Sequence, residues 1–151
     1  MTIQELRRKY IGLQTDCKTY KDGLNQLGDF GCLFYCLCSI AEEYNFEHHQ
    51  KPIDIVASFV KCKKKKLIGD ECYILDDGCK ILELLTGVKW TRDVVKSLPY
   101  NIPESMYTVE KWYREENGYI HFKRRWGDTL VNSQTVKYGR IIDYYCYSYA
   151  A

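Results

Sequence analysis

The hydrophobic and polar residues of this chain follow two different patterns, one in each half. Apolar residues recur at helical intervals as far as residue 86, whereas aromatic and β-branched residues dominate after residue 98. Residues 2–13 have the spacing of a short amphipathic helix, and the three glycines within residues 14–31 are typical of a loop. Helices followed by antiparallel strands indicate an α+β domain, with N-terminal helices packed on a C-terminal sheet.

Three further helices are predicted between residues 32 and 86. Residues 32–44 are apolar on every side, which is typical of a helix buried all round. Pro52 can begin the next helix, which extends to about residue 65, where a cluster of lysines suits the carboxyl-terminal dipole. A last helix over residues 77–86 ends at Gly87.

The second half of the chain predicts three strands. They cover residues 105–113, 118–126 and 139–149, each rich in tyrosine, isoleucine or tryptophan. The dipeptide Asn117-Gly118 has the composition of a tight hairpin turn between the first two strands.

Length and charge limit the classes of protein to consider. The 151 residues, 46% of them hydrophobic, suit one ordered domain over residues 1–151, and a net charge of +2 demands no nucleic-acid partner. The lysine cluster also lacks interleaved aromatic residues, so no nucleic-acid binding is expected. The longest apolar run is about half of a membrane span, and no export signal is visible. We therefore expect a cytoplasmic protein without a membrane span.

Eight cysteines raise the alternatives of disulfides, a metal site or free thiols. Without an export signal a reducing compartment is expected, which favours free thiols. No C-x-x-C pair occurs, and the spacing of Cys32, Cys36 and Cys38 fits no common metal or cluster site. We expect no metal and no other cofactor, and we interpret Cys36 and Cys38 as core residues of their helix.

Cys32 differs from the other thiols because it lies at the start of its predicted helix. Unpaired N–H groups and the helix dipole stabilise a thiolate there, and a thiolate is a nucleophile. The competing interpretation is a small buried core residue. A nucleophilic thiol needs a base, and His121 lies within a predicted strand, on the face opposite Ile120 and Phe122. The other two histidines, His48 and His49, fall in a polar link and are expected to face solvent.

A third group would orient the imidazole by accepting its second N–H. Asp128 follows His121 beyond a predicted turn at Trp126-Gly127 and is one candidate. If that turn is a two-residue hairpin, Asn132 lies opposite His121 and is the other candidate. Asp128 is otherwise a turn residue.

The order of Gln26, Cys32, His121 and Asp128 resembles the papain-like cysteine peptidase superfamily. The resemblance implies that Gln26 donates to the oxyanion, Cys32 attacks, His121 serves as base and Asp128 orients the ring. Within the superfamily the chain is most similar to the C39-like, bacteriocin-processing group. Its segment from Trp126 to Ile141 also resembles small papain-like proteins encoded by spirochaete plasmids and prophages.

Two functions follow as hypotheses. The first is a papain-like thiol hydrolase that acts on a peptide, isopeptide or peptidoglycan amide. The second is a catalytically inactive papain-like scaffold, encoded by a phage or plasmid, that binds or inhibits a host protein. Departures from the C39-like pattern favour the second: Gly31 precedes the cysteine, Leu33 follows it, and Thr129 replaces a proline.

Overall fold

The computed structural model describes residues 32–69, 74–98, 106–115, 118, 120–125 and 139–150. Within these residues the chain is α+β, as the sequence predicts. The helices are α1 (Cys32–Glu47), α2 (Ile55–Lys64) and α3 (Cys79–Thr86). The strands are β1 (Trp90–Val95), β2 (Met106–Arg114), β3 (Ile120–Arg124) and β4 (Gly139–Tyr149). The helix predicted over residues 2–13 and the loop after it lie outside the described residues.

Helix α1 is the centre of the described fold. Every residue from 34 to 41 is buried, which confirms the prediction of a helix covered on all sides. It packs against α2, α3 and β3. None of the helices in the described part of the chain is long and apolar enough to cross a membrane.

Local hydrogen bonds set where the two shorter helices begin and end. Helix α2 begins three residues after Pro52, because the Asp54 carboxylate accepts the N–H of Ala57 at 3.0 Å and caps the helix there. Helix α3 begins after Gly78, at a φ of 84°. It ends as predicted at Gly87, whose φ is 81° and whose N–H donates to the Glu83 carbonyl at 2.8 Å.

The four described strands form one antiparallel sheet in the order β1-β4-β2-β3. The strand bounds agree with the prediction within two residues, and at β4 they coincide with it. Gly118, between β2 and β3, has a φ of 71°, as a tight hairpin requires. Strand β1 was not predicted, because its short sequence WTRDVV carries two charged residues and shows little alternation.

One face of the sheet packs on α1. The buried side chains of Tyr107, Val109 and Tyr147 contribute to the core cluster on this side. Arg124 of β3 points the same way and is only 3% exposed. Its guanidinium donates to the Ser39 hydroxyl and to the Glu43 carboxylate, both at 3.0 Å. A buried charge thus joins β3, the last strand in the described part of the sheet, to the central helix.

Removing the Glu43 carboxylate should destabilise the protein, since it leaves the buried Arg124 charge without its counter-ion. Because the Glu43 side chain is itself 40% exposed, we expect Glu43→Ala to lower the free energy of unfolding by about 2 kcal/mol, below the range for a fully buried pair. Urea denaturation measures the change. The matched control is Glu83→Ala, which removes an exposed carboxylate from α3 and should cost no more than about 0.5 kcal/mol. Equal losses in the two variants would contradict the role of the ion pair.

Candidate functional site

Cys32 is the first residue of α1 and is partly buried where the helix meets β3. Its thiol interacts with three backbone N–H groups, those of Phe122, Leu33 and Cys32 itself. Two of these are helix-start donors that have no partner within the helix, and the third belongs to strand β3. The structure therefore brings the predicted nucleophile against the strand that carries His121.

Two opposing effects act on the Cys32 thiol. Burial raises its pKa above the ordinary value, and this effect is the larger. The three N–H groups and the positive charge of Arg114 lower the pKa in part. Cys36 and Cys38, deeper in the same helix, have pKa values raised well above the ordinary range by burial. Both are fully buried, which agrees with their interpretation as core residues.

His121 lies within β3 and is 2% exposed. Its partner across the β2–β3 ladder is Trp112. Because side chains alternate along a strand and Arg124 points towards α1, the side chain of His121 leaves the strand on the other face. The thiol therefore contacts the main chain next to His121, whereas the imidazole extends from the face of the sheet that is opposite α1.

The other predicted site residues are not tested by this geometry. Gln26, Asp128 and Asn132 lie outside the described residues, so their roles remain predictions. His48 and His49 are exposed, as predicted. The His48 ring stacks on Tyr44, with centroids 3.9 Å apart.

Strand β2 adds two charged residues to the face of His121 that sequence reasoning missed. Glu110 and Arg114 flank Trp112 at alternate positions, so both are diagonal neighbours of His121. The Glu110 carboxylate accepts from Trp112 Nε1 at 3.0 Å and from Arg125 at 3.1 Å. Alternation in the sequence EKWYR shows that these residues share a face, but only the register with β3 places them beside His121.

Comparison of the chain with protein-family models, with curated proteins and with solved structures found no match. Among the described residues, no cluster of three or more histidine, cysteine, aspartate or glutamate side chains could hold a metal ion. The six described cysteines are free thiols.

The buried thiols should make the fold sensitive to alkali. Burial raises the pKa of Cys36 and Cys38, and it raises that of Cys62 to about 11. Unfolding exposes these groups and returns them to a pKa of about 8.5. Their contribution to stability is therefore complete below about pH 8.5 and is lost as the pH rises above it.

We expect the free energy of unfolding to fall between about pH 7.5 and about pH 10.5, by several kcal/mol. Urea denaturation at the two pH values measures this loss. The variant Cys36→Ala should be less stable at neutral pH but should lose less on going to high pH. An identical loss in the variant and the unmodified protein would contradict the assignment to buried thiols.

Proposed function

We propose that this protein is a thiol hydrolase of papain-like fold, with Cys32 as nucleophile and His121 as base. The observation that carries the proposal is the approach of the Cys32 thiol to the backbone N–H of Phe122. Residues far apart in the chain thus meet at the start of the buried helix α1, with the proposed nucleophile against the strand that carries the proposed base.

The contact with Phe122 puts the thiol against the main chain of the residue that follows His121. The nitrogen of Phe122 is bonded to the carbonyl carbon of His121, three bonds from His121 Cβ. Because His121 is only 2% exposed and its side chain leaves β3 on the face opposite α1, a pair with the thiol requires a shift of strand β3 as well as a change of rotamer.

In the proposed reaction His121 takes the proton of Cys32, and the thiolate Sγ attacks the carbonyl carbon of an amide. The backbone N–H of Cys32 and the side chain of Gln26 donate to the oxyanion, and each such donor contributes about 3 kcal/mol. When the C–N bond breaks, His121 returns the proton to the leaving amine. Water then hydrolyses the thioester, and Asp128 or Asn132 orients the ring throughout.

Burial of Cys32 sets an energetic condition on this mechanism. Because burial raises the thiol pKa, the positive charge of a protonated His121 has to offset the desolvation of the thiolate. A cytoplasmic setting is part of the proposal, since the free thiols of the described residues suit a reducing compartment. The substrate classes remain a peptide, an isopeptide or a peptidoglycan amide.

Alkylation by iodoacetamide, mapped to single cysteines by mass spectrometry, tests the proposal. Below about pH 7, Cys32 should react at least tenfold faster than Cys79, the other partly buried thiol among the described cysteines. In His121→Ala the difference should disappear, whereas in His48→Ala, which alters an exposed histidine, it should persist. Equal rates for the two thiols, or a difference that survives His121→Ala, would contradict the proposal.

A second function, the inactive scaffold that binds a host protein, is favoured by one observation. The side chain of His121 leaves β3 on the face opposite α1, so a Cys32–His121 pair requires a shift of β3 as well as a change of rotamer. In a scaffold no such change occurs. The alkylation experiment separates the two functions, because the scaffold leaves Cys32 no more reactive than Cys79.

A further inference from the structure

We draw no further inference here: the strongest candidate, the cavity of about 490 Å³ bordered by the end of α1, the first turns of α2 and the last turn of α3, carries none, because the buried Asn45 Oδ1, which lacks a hydrogen-bond partner among the described residues, is not exposed to that cavity, and nothing in the structure shows what would occupy it.

Discussion

The complete burial of helix α1 is the constraint on which the described structure depends. A helix with apolar residues on every side gains stability only when other elements cover each face, and α2, α3 and the sheet do so here. The Arg124 guanidinium adds a directional contact, because it reaches both Ser39 and Glu43 on the helix. Packing and this ion pair together fix how α1 lies relative to β3.

The position of Cys32 follows from that arrangement. Since β3 lies against α1, the first turn of the helix meets the strand at Phe122, and the thiol lies among three backbone N–H groups. The environment is a balance, in which burial disfavours the thiolate and the N–H groups and Arg114 favour it. Burial has the larger effect on the pKa, so the proposed hydrolase reaction would need a further positive charge, that of a protonated His121.

The sequence predicts the described helices and three of the four strands, because their patterns are strong locally. The unbroken apolar run from residue 32, the aromatic strands and Gly87 all act through neighbours in the chain. Strand β1 was not predicted, because the segment WTRDVV is held as a strand by its pairing with β4. The alternation of residues within the segment does not indicate that pairing. For the candidate site, the helix-start position of Cys32 and the strand position of His121 were predictable. Arg114 was not, because only the register of β2 against β3 brings it beside His121.

The proposed hydrolase depends on a thiolate–imidazolium pair between Cys32 and His121. The most direct measurement is the ultraviolet absorbance of the thiolate as a function of pH, taken as the difference between the unmodified protein and Cys32→Ser. We expect the absorbance of one thiolate to be present at about pH 6 and to be absent at that pH in His121→Ala. A difference that develops only above about pH 8.5, the ordinary range of a thiol, would contradict the account.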